Sequence, residues 1–244
     1  MERDCPRSEL TAGFYHHKLF HRCLGSKGGP EEVSMGGDQG LCALQRVQWR
    51  RKLALLMAFG IAVPALAFVN SYWREPWPTF YVSIEWVGIA LILVCIAGRT
   101  WCTAYIGGRK KRELVTTGPY SIVRNPLYVF TLIGTVGVGL QFGSLIVAAI
   151  VTAVAYLVFR PVIMREEAYL AASFPQDFAA YSARVDRLLP NFSQLRSESE
   201  LAIPAPLMLR TFIEACLFLT AIPIAEAIEY LQASGALPKL IELL

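Results

Sequence analysis

Thr116-Thr117-Gly118-Pro119-Tyr120-Ser121-Ile122-Val123-Arg124-Asn125-Pro126-Leu127-Tyr128 is a short polar loop set against a long apolar stretch. Gly118-Pro119 and Asn125-Pro126 are both turn signals, because glycine and proline break helix and strand alike. Pro126 falls in the first turn of the apolar helix that follows, where its missing N–H leaves no partner unsatisfied. Two turns so close together predict a compact loop with free backbone N–H groups. With Tyr120 and Tyr128, these groups can hold a polar small molecule against a membrane. On composition alone, a loop that merely joins two helices reads equally well.

Working outward, the loop is flanked by apolar segments of membrane-spanning length. Leu127–Leu140 and Ser144–Met164 form a tight hairpin turning at Gln141-Phe142-Gly143. Gly134, Gly137 and Gly139 suit close helix packing in lipid, where no hydrophobic drive pushes helices together. Upstream lies a span from about Tyr81 to Tyr105, with Glu85 near its start at headgroup level. Before that, Leu53–Val69 is a slightly short span against the roughly 20 apolar residues a bilayer requires. Trp73 and Trp77 between these two mark an interface. A last span runs from about Leu207 to Tyr230 and carries Glu214 and Glu226; ionisable groups in a span usually face a bundle interior or a wet cavity. The residues from Leu231 onward read as a short amphipathic end.

Composition agrees. Of 244 residues, 55% are hydrophobic and 17% charged, against about 25% charged in ordinary soluble domains; the mean hydropathy is +0.43. The fold class expected is all-α, an integral membrane bundle of about five transmembrane helices. Arg46, Arg50, Arg51 and Lys52 precede the first span, and Arg109, Lys110, Lys111, Arg112 and Arg124 follow the second. Basic residues favour the cytoplasmic side, so both clusters, and the loop at Thr116–Tyr128, are expected to face the cytoplasm. The net charge of +4 clusters beside spans, which suits topology better than nucleic-acid binding.

Residues 1–45 are polar, Gly-rich and aperiodic, which predicts a disordered tail rather than a secretory signal peptide. His16, His17, His21 and Cys23 in that tail fit no standard zinc spacing. Cys5, Cys23, Cys42, Cys95, Cys102 and Cys216 include no CxxC pair. No disulfide framework and no metal site are expected.

The second polar piece is Arg165-Glu166-Glu167, which the hairpin returns to the side of the first loop. Adjacent residues on a helix point about 100° apart, so one glutamate can face the bundle and the other water. A carboxylate at a membrane boundary beside a tyrosine-rich loop is a reasonable anchor for a cationic ligand; a solvated helix end is the plainer reading. Arg160 and Arg165 are close enough in sequence to pair with the two carboxylates. Beyond the break at Ser173-Phe174-Pro175, Asp177, Tyr181 and Arg184 fall on one face at helical spacing.

Taken together, Leu114 to Tyr120, Arg124-Asn125-Pro126-Leu127-Tyr128, Glu166-Glu167, Phe174, Tyr181, Arg184-Val185 and Leu189-Pro190 resemble the isoprenylcysteine carboxyl methyltransferase family, and related membrane methyltransferases of phospholipids. The resemblance covers about residues 107–191. It implies that the chain after the tail (1–45) is a transmembrane methyltransferase domain (46–244) that uses S-adenosylmethionine. It implies donor contacts from Leu114, Val115, Tyr120, Asn125, Pro126, Leu127, Tyr128 and Glu166, with Glu166 on the donor's ammonium group. Asn125 stands where the family usually has histidine; it keeps hydrogen bonding but cannot titrate. Val162 stands where the prenylcysteine enzymes have the arginine implied to hold the substrate carboxylate, a role left to Arg160 and Arg165. The implied acceptor is lipophilic and reached from the bilayer, with the carboxylate of a prenylated cysteine as one candidate; a phospholipid amine and a small thiol are alternatives. A nicotinamide-dependent reductase of the sterol type and an inactive membrane scaffold stay open as other readings.

Overall fold

The computed structural model describes residues 68–74, 76–107, 113–198, 203, 205–238 and 241–243, all within the compact unit Arg51–Leu244. The tail at 1–45, the histidines within it, both basic clusters apart from Arg124, and most of Leu53–Val69 lie outside the described residues.

In chain order the elements are β1 (Val69–Ser71), α1 (Pro78–Ile106), α2 (Pro119–Ile122), α3 (Pro126–Leu140), α4 (Leu145–Ser173), α5 (Pro175–Arg184), α6 (Ala205–Cys216), α7 (Ala221–Ala233) and β2 (Ile241–Leu243). α1, α4 and the rod formed by α6 and α7 (Ala205–Ala233) are each long and apolar enough to cross a membrane. The chain is an all-α membrane bundle, and the described strands are one short parallel pair in register Val69↔Ile241. Trp86, Leu93, Ile150, Leu157, Ile213 and Leu217 are all more than half exposed. Such an apolar girdle belongs against lipid rather than water.

The helices stand in a row, α4 on α3, α3 on α1, α1 on α6. α3 can lie between two longer helices because glycine lines its seams. A Cβ on Gly137 would sit 2.6 Å from the Gly88 carbonyl, and one on Gly88 would sit 2.9 Å from the Gly137 carbonyl. The two backbones therefore touch, which no larger residue at either position permits. The Gln141 side chain donates to the Glu85 carbonyl at 2.9 Å and ties the hairpin turn to α1. Ser144 caps α4 by accepting from the Val147 amide at 3.3 Å.

Three features depart from the sequence reading. α4 continues nine residues beyond Met164, to Ser173. Its 29 residues give a rod of about 43 Å at 1.5 Å per residue, longer than the roughly 30 Å hydrocarbon core. The surplus carries Glu166 and Glu167 clear of the apolar layer on a rigid helix. α3 has only 15 residues, about 22 Å, and is too short to span alone. The last rod tightens into a 3-10 turn at Leu217–Thr220. Pro223 offers no N–H to the Leu219 carbonyl, which favours such a tightened turn.

At the end of the bundle away from the Thr116–Tyr128 loop, Arg74 donates to Glu229 at 2.7 Å and Tyr81 donates to the same carboxylate. Ser71 donates to the Gly143 carbonyl at 2.6 Å. These groups enclose a cavity of about 20 Å³, room for a single water.

Candidate active site

The loop at Thr116–Tyr128 is held by backbone bonds to a distant stretch of chain. Gly118 adopts φ 59°, a left-handed conformation that glycine enters without a Cβ penalty, and the Tyr105 ring fills the space where a Cβ would stand. Its amide donates to the Arg196 carbonyl at 2.6 Å. The Arg196 amide donates back to the Ser121 hydroxyl at 2.9 Å. Further along, the Arg124 amide donates to the Asp186 carbonyl at 2.8 Å and the Asn191 amide to the Ile122 carbonyl at 3.0 Å. Thr117 donates to Glu198 at 2.6 Å. Residues 186–198 thus form a second layer over the loop, clipped to it at both ends.

The two glutamates at the end of α4 divide their work as their 100° separation requires. Glu167 is buried, 7% exposed. It accepts from Arg187 Nε at 2.9 Å and from the Asn125 amide nitrogen at 2.8 Å, and lies 3.6 Å from the Arg124 guanidinium. This carboxylate locks three segments together: α4, the loop and the chain after α5. Its hydrogen bond and charge push the Arg187 guanidinium pKa above its ordinary value.

Glu166 is half-buried and accepts from the Tyr128 hydroxyl at 3.2 Å. Tyr128 is buried and packs against Phe159, ring centroids 5.4 Å apart. Tyr120 is buried beside them. Burial pushes its hydroxyl well above the usual tyrosine range, with Cys102, Tyr181, Glu166 and Tyr128 as contributing neighbours. Tyr181 donates to the Tyr120 carbonyl at 2.7 Å, which pins the loop onto α5. Burial raises the Tyr181 hydroxyl pKa as well.

The structure thus brings Tyr120, Tyr128 and Glu166 together. Leu114 packs with Phe178, Tyr181 and Val185; Val115 and Leu127 pack with Cys102, Ala104, Tyr105 and Tyr120. Pro126 is fully buried at the start of α3. Asn125 gives its amide to Glu167 and, at 3.3 Å, to the Arg187 carbonyl. Arg160 and Arg165 are exposed. The guanidiniums that meet Glu167 belong to Arg124 and Arg187 instead, one from the loop and one from beyond α5. On α5 the buried residues are Phe178 and Tyr181, while Asp177 and Arg184 are exposed, so the expected polar face is split.

A half-buried carboxylate against a phenol, beside buried tyrosines, suits an organic cation. The carboxylate supplies countercharge and aromatic faces attract cations. The donor set therefore fits S-adenosylmethionine, which carries an ammonium and a sulfonium. Among the described residues no group of three or more histidine, cysteine or acidic side chains is placed to hold a metal ion.

The sequence model of the phospholipid methyltransferase family matches residues 84–177, the stretch from α1 to the start of α5. The chain is similar to the cobalt-zinc-cadmium resistance protein CzcN of Cupriavidus metallidurans, 33% identical over 196 residues, covering 80% of this chain and 86% of that one. It is also similar to the nickel-cobalt-cadmium resistance protein NccN of Alcaligenes xylosoxydans xylosoxydans, 34% identical over 178 residues, covering 73% and 82% respectively. No solved structure matches.

Proposed function

The chain belongs to the phospholipid methyltransferase family, and on that footing we propose that it transfers a methyl group from S-adenosylmethionine to a lipophilic acceptor at the membrane surface. The observation that carries this reading is the 3.2 Å contact between the Tyr128 hydroxyl and Glu166, which joins the loop to the end of α4. Bound there, S-adenosylmethionine supplies an activated methyl on a sulfonium sulfur.

The residues of the chain do the rest by position. Glu166 holds the ammonium of the donor. Tyr128, braced by Phe159, fixes the carboxylate of Glu166 from the side. Leu114, Val115, Tyr120 and Leu127 line the apolar surroundings and keep water out. Glu167, Arg124, Asn125 and Arg187 hold the loop and α4 in register. Holding two reactants in line contributes roughly 7–11 kcal/mol to such a displacement. The S–CH₃ bond breaks as the bond to the acceptor oxygen or nitrogen forms. Both motifs face the cytoplasm in this reading, so the polar donor enters from water and the acceptor from the bilayer.

Val162 is buried, and Arg160 and Arg165 are exposed. That set favours a membrane lipid over a prenylated cysteine as acceptor. The relatives are named for resistance to cobalt, zinc, nickel and cadmium, and methylating a lipid headgroup changes the surface that such cations meet. The test is transfer of labelled methyl from S-adenosylmethionine into lipid extract by purified protein. The expected result is organic-soluble label that Glu166→Gln loses. Binding of a nicotinamide dinucleotide in place of S-adenosylmethionine would point to a reductase, and binding of neither to a scaffold.

A further inference from the structure

One charged side chain inside a membrane span has no role in the site described above. Arg99 lies seven residues before Ile106, the last residue of α1, so its Cα stands about 10 Å inside that end of the helix. Its Nη1 donates to the Thr131 hydroxyl at 2.5 Å. Its Nε is buried with no hydrogen-bond partner, and no carboxylate among the described residues pairs with it. Cys95 and Cys102, one turn before and one turn after on the same stripe, are fully buried thiols and supply no countercharge.

A cation in a span is costly, and such groups normally pair with an anion or face a wet path. A plain arginine would extend its stem and lift its head to the headgroups. Arg99 does not: its head is tied sideways to Thr131, which is itself five residues into α3, about 7.5 Å deep. The Thr131 hydroxyl donates to the Leu127 carbonyl at 2.7 Å, so a lone pair faces the guanidinium and the pair is held rigid. Thr131 is also one turn along α3 from Tyr128, about 4.5 Å of rise. The guanidinium therefore lies in the α1–α3 seam, one helical turn beneath the tyrosine that touches Glu166.

We infer that Arg99, positioned by Thr131, is the anchor for the oxyanion of the acceptor lipid, a phosphate or a carboxylate, and sets which lipid is methylated. This rests on the methyltransferase reading. The oxyanion satisfies the guanidinium at bilayer depth, and its acyl chains stay in lipid. The part of the headgroup to be methylated then reaches up one turn to the donor. An exposed arginine such as Arg160 or Arg165 could not choose between a lipid anion and a soluble one; a seam within the apolar layer admits only the former.

The test uses the full chain in uncharged detergent. The probes are oleoyl lysophosphatidate, oleate, oleyl alcohol and inorganic phosphate, with binding read as the shift in thermal unfolding midpoint. The expected result is stabilisation by one or both anionic amphiphiles, none by oleyl alcohol or inorganic phosphate, and at least a tenfold loss of affinity in Arg99→Gln. Whichever amphiphile binds distinguishes phosphate from carboxylate. S-adenosylmethionine affinity measured on the same variant should be unchanged, which also shows that it folds. If Arg99→Gln does not fold, Thr131→Val is read instead, with an expected loss of about threefold. Equal affinity in the folded variant, or oleyl alcohol stabilising as well as oleate, overturns the assignment. Failure of the wild type to bind S-adenosylmethionine sinks the methyltransferase reading separately and leaves the lipid-binding result to stand or fall alone.

Discussion

Both ends of the bundle place a glutamate against a tyrosine and an arginine, and they use the same three groups differently. At the far end, Glu229 takes the Arg74 guanidinium on one oxygen and the Tyr81 hydroxyl on the other, so one carboxylate clamps α7 to α1 and to the turn just before it. At the loop end the carboxylate is doubled. Glu167 takes Arg187, Arg124 and Asn125, while Glu166 meets Tyr128. The doubling separates bracing from binding. A helix can offer two adjacent carboxylates to opposite sides, so the brace need not be surrendered when a ligand arrives.

The contrast breaks most visibly at Glu167. Replacing it with alanine leaves the largely buried Arg124 without its countercharge, while the half-exposed Arg187 can turn to water, a change that costs about 3 kcal/mol, the low end for a buried pair. The Glu167→Ala protein should unfold at a clearly lower temperature and lose methyl transfer with it. A stable, active variant would mean that residues 186–198 hold the loop without this brace.

At the far end, Glu229→Gln should lower stability by about 1–2 kcal/mol, because the Arg74–Glu229 pair is part exposed and a hydrogen bond remains possible. It should leave donor affinity untouched. Donor binding that weakened with Glu229 would show that the two ends are coupled and that the comparison is too sharp.

How much of this the residues declare depends on the range of the contact. The spans are legible because apolar length is a local property. α4 overruns its apolar run because a helix ends on capping and not on hydropathy: the stretch after Met164 turns polar, yet the chain leaves helical geometry only before Pro175. The meeting of Tyr128 and Glu166 follows from reading the loop and the hairpin together as a family pattern. The brace was not legible. Arg160 and Arg165 are nearest to the glutamates in sequence, yet neither stands three or four residues away, the spacings at which helix neighbours touch. The true partners arrive from 43 residues before Glu167 and 20 after it. Arg99 had a visible signal, the one cation in its span; only the placement of Thr131 gives it a direction.

Two smaller effects sharpen the loop end. Tyr181→Phe removes the bond to the Tyr120 carbonyl, leaves that acceptor unsatisfied, and should cost about 1 kcal/mol in unfolding free energy. Tyr120 and Tyr181 also make stability fall in alkali. Burial raises both hydroxyls, so below the ordinary tyrosine value of about 10 both states keep the proton and pH has no effect through them. Above it the unfolded chain releases its protons first, and stability drops as pH rises. Unfolding midpoints from pH 8 to 11 should be level and then decline, with a shallower decline in Tyr181→Phe. A profile unchanged by that substitution would contradict the burial of its hydroxyl.

The most direct measurement is calorimetric titration of S-adenosylmethionine into the purified wild type, Glu166→Gln and Glu229→Gln. Glu166→Gln removes a charge-assisted hydrogen bond and should weaken binding by about 10- to 100-fold, with Glu229→Gln matching the wild type. Equal affinity in all three would place the methyl donor somewhere other than between Tyr128 and the end of α4.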